Sequence, residues 1–524
     1  MQKGIKPFGV LLILLSVFAV LAIVSVLFPS GGMRIGNSFC LHFPGPGDLI
    51  DPSRPGYADI SHIADFPVAE ADTALPVFVS APPPEAVAAI AGTTTALESD
   101  PSLNLAGPLG TVTEDPAGEA GIRQTAVYLE YPPGNDTSLH RFFRSLVKAE
   151  SSCPVRIIHY GDSQIENDRI TSVFRNRLQA RFGGSGIGMF PVISPSPHSA
   201  SIRIAHAGSW QRHTPLQRGN GRSAHNRYGL LMSYAAASAN PEESSQTAAS
   251  FALRPSGTGF SRSRQMKQLS LYLGSGNAPF ALELRMRQEI IDTLFFPAAG
   301  PLRRVSWTLP ESAGEYSVIF TGEGAPEIYA VSLDDTAGVA IDNVPMRGSA
   351  GLEFSRTDPA ILRQMMDELN VGLILMQFGV NVVPHVTGDY SYYENSLLRQ
   401  LLFLKSLRPG IGIVVVGVSD MSARTPGGFY ESWPNIELIR DAQRNAAFRA
   451  GFPFWDLYGA MGGKNSMPAW VAADPPLGQA DHTHFTFRGA GLVGEMLYTA
   501  LMADFGKYLQ SPLAETGTVS KEGL

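Results

Sequence analysis

The chain has 524 residues, enough for two or three domains, and 44% of them are hydrophobic, enough to bury a sizeable core. Only 17% are charged, the formal net charge is −7, and no dense run of Lys and Arg occurs, which excludes a nucleic-acid partner. Two cysteines, Cys40 and Cys153, are too few for a disulfide framework or a metal site, and the sequence leaves open whether they pair.

Residues 8–28 form an uncharged apolar run. At about 1.5 Å rise per residue, a helix of that length covers a hydrocarbon core of roughly 30 Å. Lys3 and Lys6 precede the run and the first basic residue after it is Arg34, so the positive-inside bias leaves the short N-terminus in the cytoplasm. A cleaved signal peptide is the competing reading, but the run is long for one and Phe-Pro-Ser-Gly-Gly after it is a poor cleavage site. The expectation is an uncleaved single-pass anchor over 1–28 with the rest of the chain outside the cytoplasm.

Residues 29–121 form a juxtamembrane segment, with room for a short hairpin, and then a linker. From Pro67 to Gly121 the composition is Ala, Pro, Thr and Glu with little periodicity, which predicts an extended spacer holding a globular head away from the membrane. Order resumes near Gln124. Val155–Tyr160 reads as a buried strand and Glu166–Phe182 as an amphipathic helix. From 336 the same alternation returns: a helix at 360–369, a strand at 372–377, a helix at 390–407, a strand at 411–418, a helix at 435–450, a short strand at 454–457 and a last helix from about 488 to 508. Strands alternating with helices predict a parallel sheet covered on both faces, here built from residues 122–194 and 336–510. Between them, 195–335 holds short alternating stretches such as Leu269–Leu273, Ala281–Met286, Val305–Leu309, Tyr316–Phe320 and Ile328–Leu333, the pattern of an antiparallel β-sandwich. Residues 511–524 read as a flexible tail.

Three short blocks carry chemistry. Gly161-Asp162-Ser163-Gln164 lies between strand and helix, at the sheet edge where α/β folds build sites and near a helix N-terminus that favours negative charge. Its structural alternative is an N-cap, with Ser163 and Glu166 forming a capping box. Gln377-Phe-Gly-Val-Asn381 follows the strand at 372–377, where an Asn side chain can donate to an oxyanion. Asp481-His482-Thr483-His484 precedes the last helix; a carboxylate three residues ahead of a histidine can orient its ring and leave the other nitrogen to take a proton from a serine. The alternative there is a cap by Asp481 or Thr483. Zinc is disfavoured because His482 and His484 lack further ligands.

In that order, these blocks resemble the SGNH (GDSL-like) hydrolase family, over roughly 150–195 and 336–508. The resemblance implies a three-layer, flavodoxin-like α/β fold and a serine esterase needing no cofactor or metal. It implies a Ser163, His484 and Asp481 triad, with the N–H groups of Ser163 and Gly348 and the Asn381 side chain as an oxyanion hole. Gly351 is the fallback for the glycine. A β-sandwich between the first two blocks is similar to the arrangement in bacterial peptidoglycan O-acetylesterases, so the expected substrate is an acetylated cell-envelope glycan. An O-acetyltransferase working with a membrane-bound acyltransferase, and a non-catalytic glycan-binding protein, are the alternatives. Gln164 departs from the family's usual residue; Asp162 and Gln164 are placed in the candidate substrate pocket. Trp307, Tyr316 and Tyr329 read as core or as sugar platforms, Gly183–Gly188 as a helix stop and loop, and His385 and His482 as surface or supporting residues.

Overall fold

The computed structural model describes residues 16–24, 33–35, 39–41, 56–66, 128–149, 153–194, 199–217, 223–238, 247–298 except 275 and 277, 302–310, 314–322 and 326–511. Within the apolar N-terminal run, residues 16–24 are helical; the rest of the expected anchor and the linker lie outside the described residues. Among the described residues no helix is long and apolar enough to cross a membrane. A small antiparallel hairpin pairs Met33–Ile35 with Phe39–Leu41.

Five strands form a wholly parallel sheet: β1 (Val155–Gly161), β2 (Val339–Pro345), β3 (Val371–Gln377), β4 (Gly412–Val416) and β5 (Phe454–Trp455). Their spatial order is 2-1-3-4-5. This is the doubly wound flavodoxin-like arrangement, whose crevice opens between β1 and β3 because the connections leave them in opposite directions. Successive strand residues face opposite sides, so both faces must be apolar to be covered. Ile157, Leu373, Leu375, Val414 and Val416 pack against α1 (His140–Val147), α2 (Thr171–Phe182) and a C-terminal helix at Phe487–Gln510. Ile158, Ile374, Met376, Ile413 and Val415 face α3 (Pro359–Glu368), α4 (Ser391–Leu407) and α5 (Ile436–Ala450) on the other side.

The chain between α2 and β2 builds a two-sheet sandwich with antiparallel pairing. One sheet runs 289–296, 280–286, 316–322, 247–255, 202–207; the other runs 303–308, 268–273, 327–334, 234–238, 209–213, with Gly186–Phe190 also pairing with 327–334. Gly183–Gly188 is therefore not a simple loop, since its second half enters a strand. Trp307, Tyr316 and Tyr329 are buried in the sandwich or beneath it and are not available as sugar platforms.

Two features fix the sandwich to the parallel sheet. Tyr228, Leu230, Leu231, Tyr272 and Tyr329 share one core with Ile158 and Tyr160 of β1, and Tyr160 donates to the Leu230 carbonyl at 2.7 Å. Arg156 of β1 is buried between Asp334, which ends a sandwich strand, and Asp342 of β2, and bonds both. Burial works against the guanidinium's charge, but the two carboxylates outweigh it and hold its pKa above the usual value. Burial pushes Asp342 up to about 6, against Arg156.

The segment ahead of the linker does not stand clear of the globular body. Asn465 Nδ2 donates to the Gly56 carbonyl at 3.0 Å, the Ala58 N–H donates to Asn465 O at 3.2 Å, and His62 Nε2 lies 2.8 Å from Ala460 O. Residues 128–131 run beside β5, with Glu130 and Phe454 exchanging main-chain bonds of 2.8 Å. Both flanks of the linker are thus docked on the same domain, which corrects the picture of a simple spacer between membrane and head.

Removing Arg156 strands two buried carboxylates beside each other. Arg156→Met is expected to cost about 3–5 kcal/mol of unfolding free energy, read from urea denaturation. An unchanged midpoint would show that the cluster contributes nothing net.

Candidate active site

Ser163 follows β1 directly, at the first position of a 3-10 helix (Ser163–Asp168). Asp162, not Ser163, caps this turn, accepting the Gln164 N–H at 3.0 Å. The single helix expected over 166–182 is broken at Asn167 and Asp168, which take φ values of 63° and 61° before α2 begins at Thr171. Glu166 makes no capping box; both its oxygens accept from Arg347, at 2.6 Å each. At the other end, Thr486 caps the C-terminal helix by accepting the Gly489 N–H at 3.1 Å. Ser163, Asp481 and His484 are therefore not consumed as caps.

These three converge although Ser163 and His484 lie 321 residues apart in sequence. Ser163 Oγ is 2.8 Å from His484 Nε2, and His484 Nδ1 is 2.7 Å from Asp481 Oδ2. Asp481 Oδ1 also accepts the N–H groups of Thr483 and His484, both at 3.0 Å. Burial would push the Asp481 carboxyl up, but the His484 ring and these main-chain donors prevail and hold it at about 2. A carboxylate that stays ionised keeps a proton on His484 Nδ1 and turns Nε2 towards the serine as an acceptor.

The candidate oxyanion donors sit on the neighbouring loops after β2 and β3. Gly348 is exposed, at the third position of a turn closed by Ser349 N–H to Met346 O at 2.9 Å. Its φ of +78° is what a type II turn requires there, and its N–H has no acceptor among the described residues. Gly351 differs: its N–H is bonded to Ser349 Oγ at 2.9 Å, and a Cβ would meet the Phe378 ring at 2.7 Å. Of the two candidate glycines, Gly351 is spent on Ser349 and packed against Phe378, and Gly348 is not. Asn381 is exposed and gives one amide hydrogen to Ser349 O at 2.9 Å, which ties the two loops and leaves a second donor free.

Asp162 and Gln164 do not line an open pocket, contrary to the sequence expectation. Both are buried and spent on protein partners. Gln164 Nε2 donates to Ser419 Oγ at 2.6 Å and to Thr483 O at 3.0 Å, tying the serine turn to the loop after β4 and to the histidine loop. Asp162 accepts from the N–H groups of Gln164 and Val380, joining the loops after β1 and β3. Burial pushes its carboxyl up to about 7, against those two donors and the charge of His484.

Further residues support the site without any motif to mark them. Arg169 donates to the carbonyls of Ser163 (3.0 Å), Glu166 (2.9 Å) and Phe485 (2.9 Å), so one guanidinium fixes both the serine turn and the chain just after His484. Below Ser163, buried His159 links Thr171 Oγ1 (2.9 Å) to Gln377 Oε1 (3.1 Å); burial lowers it to about 4, so it stays neutral. His482 is buried and stacks on Tyr430 with centroids 3.5 Å apart, pinning the hairpin Ser422–Ser432 beside the histidine loop. His385 is exposed.

A 2-1-3-4-5 parallel sheet with a serine after β1, an asparagine after β3 and an Asp–His pair before the last helix is consistent with an SGNH-like fold. The chain is similar to a solved peptidoglycan O-acetylesterase, at 19% identity over 72% of this chain and 99% of that one, with a TM-score of 0.56. Looser likenesses are a GDSL-like lipase from Bacteroides thetaiotaomicron (19% identity, 32% of this chain and 76% of that one, TM-score 0.23) and a family two carbohydrate esterase from Clostridium thermocellum (9%, 46% and 90%, TM-score 0.23). No family model and no curated protein matches the chain.

The raised Asp162 pKa has a defined sign. Below the unfolded value of about 3.9 both states are protonated. As pH rises the unfolded chain ionises first, so this group's contribution to stability declines up to about pH 7 and is constant above it. Asp162→Asn should therefore show a flatter melting-temperature profile between about pH 4 and 7 than wild type. Parallel profiles would mean the carboxyl is already ionised at pH 4.

Proposed function

We propose that the chain is a serine esterase that removes O-acetyl groups from a cell-envelope polysaccharide. The observation that carries this reading is the unbroken Ser163–His484–Asp481 hydrogen-bond chain, at 2.8 and 2.7 Å, beside unspent donors on Gly348 and Asn381. His484 Nε2 takes the proton as Ser163 Oγ attacks the acetyl carbonyl, and Asp481 stabilises the imidazolium that forms. The tetrahedral oxyanion accepts from the N–H groups of Ser163 and Gly348 and from Asn381 Nδ2. Collapse returns the proton to the leaving sugar oxygen, and water, deprotonated by His484, then cleaves the acyl-enzyme.

The fold shared with a peptidoglycan O-acetylesterase supports an acetylated glycan as substrate. The Asp481 and His484 side chains keep 48% and 28% of their surface exposed, so water reaches the acyl-enzyme, which favours hydrolysis over transfer to a second sugar. The apolar run at 8–28 behind Lys3 and Lys6 supports an anchored, periplasm-facing location.

Acetate release from O-acetylated peptidoglycan and from p-nitrophenyl acetate tests the proposal. Ser163→Ala and His484→Ala should each abolish it, and Asn381→Ala should lower kcat by roughly a hundredfold or more. Folded protein that releases no acetate from either ester, and takes no label from a serine-directed phosphonate, would sink the esterase reading. Acetyl appearing on added sugar acceptors without release of free acetate would replace it by transfer.

A further inference from the structure

A cavity of about 300 Å³ lies between the sandwich and the hydrolase domain, away from the triad. The sandwich walls it with aliphatic side chains, among them Ile187, Met189, Val192, Ile202 and Ile204; β2 contributes Asn343, Val344 and Pro345. Two arginines line this space, Arg175, which is paired with Asp168, and Arg212. Arg212 lies on the edge strand Ser209–His213, two residues after Trp210, whose ring meets Phe251 and Phe320 edge-on in the sandwich interior. Side chains two apart on a strand share a face, so Arg212 also points inward and lines the cavity.

The Arg212 guanidinium has no partner to match its charge. Its Nε is buried without an acceptor, and among the described residues no carboxylate lies within ion-pair distance. Burial alone lowers its pKa, to about 10. The other charges on the wall cancel. Arg175 and Asp168 are joined by two hydrogen bonds of 2.7 and 3.0 Å, Ser201 also donates to Asp168, and Arg175 Nε reaches the Ile341 carbonyl at 2.8 Å. His206 Nε2 is 2.6 Å from the Val192 carbonyl, so its ring is engaged too. Arg212 is half-buried, and holding its Nε from water without an acceptor or counter-charge is unfavourable, so an anion that meets it there recovers a charge-assisted hydrogen bond.

We propose that this cavity is a binding site for an aliphatic monocarboxylate, with the carboxylate on Arg212 and the hydrocarbon body against the isoleucine wall. A carboxylated sugar would fit the charge but not the wall. Its hydroxyls need partners, whereas Asn343 is committed to Thr171 and Ile165, and Asp168 to Arg175 and Ser201. The cavity also touches Asn167 and Asp168, the last two residues of the Ser163 turn, and Pro345, three residues before Gly348. An occupant therefore braces the roots of the nucleophile loop and the oxyanion loop together.

Calorimetric titration of the full chain with hexanoate, against its neutral analogue hexanamide, tests this without requiring esterase activity, so its failure leaves the proposed reaction untouched. Hexanoate should bind and hexanamide should bind at least tenfold more weakly. Arg212→Met should weaken hexanoate by roughly tenfold or more. Without ligand it should melt no lower than wild type, because an unpaired charge has gone. Ile204→Trp, which fills the cavity and keeps Arg212, should also abolish binding. Equal affinity for acid and amide, no binding of either, or a lower melting temperature for ligand-free Arg212→Met would overturn the proposal. Galacturonate binding more tightly than hexanoate would overturn it in favour of a glycan subsite.

Discussion

The triad depends on holding together two loops from opposite ends of the fold, and the buried guanidinium of Arg169 does much of this. Its donors go to main-chain carbonyls of the serine turn and to Phe485, the residue after His484. Carbonyls are a better anchor here than side chains, because their positions follow from the backbone path and bring no rotamer entropy. Gln164 adds a second tie between the same loops, through Thr483 O, and a third to Ser419. The Ser163–His484 distance is thus set by several bonds that avoid the reacting atoms. That arrangement suits a serine and a histidine that must exchange a proton without moving apart.

The oxyanion side is fixed by different means. Gly348 hangs on the end of β2, and β2 is an edge strand of the parallel sheet, paired only with β1. An edge strand alone is a weak platform. Here Asp342 of β2 shares Arg156 with Asp334, so the last strand of the sandwich and the strand that leads to Gly348 are clamped to β1 by one buried cation. The Arg347–Glu166 pair then draws the Gly348 turn towards the serine turn. The sandwich is consequently part of the scaffold that positions the Gly348 turn.

Most of the parallel sheet was legible in the sequence because burial on both faces leaves an uninterrupted apolar run, as in Gly372–Met376 and Ile411–Val416. β2 was not, because Val-Ala-Ile-Asp-Asn-Val-Pro carries two polar residues at buried or half-buried places. They are accommodated by Arg156, Thr171 and the Ile165 carbonyl, partners distant in sequence. Gly186–Phe190 was hidden by its glycines, and Tyr234–Ser238 by small residues that give no alternation. At the site, the blocks holding Ser163 and Asn381 were legible as short motifs at strand ends, and the block Asp481–His484 as one before the last helix. The misplacement of Asp162 and Gln164 in the pocket has a clear cause: adjacency to the nucleophile in sequence says nothing about direction. The 3-10 turn points both inward.

The two aspartates near Ser163 and His484 show how one site shifts the same side chain in opposite directions. Asp481 is half exposed, yet three donors from Thr483 and His484 hold it at about 2, so it stays charged through any pH at which His484 can work as a base. Asp162 also accepts two main-chain N–H groups, but it is almost wholly enclosed, and burial raises it to about 7. Hydrogen-bond number alone does not separate them; solvent access does. A charged Asp162 would compete with Asp481 as an electrostatic partner for the imidazolium. Asp162, whose ionisation burial delays, serves as a joint between the loops after β1 and β3, while the carboxylate hydrogen-bonded to the His484 ring is Asp481.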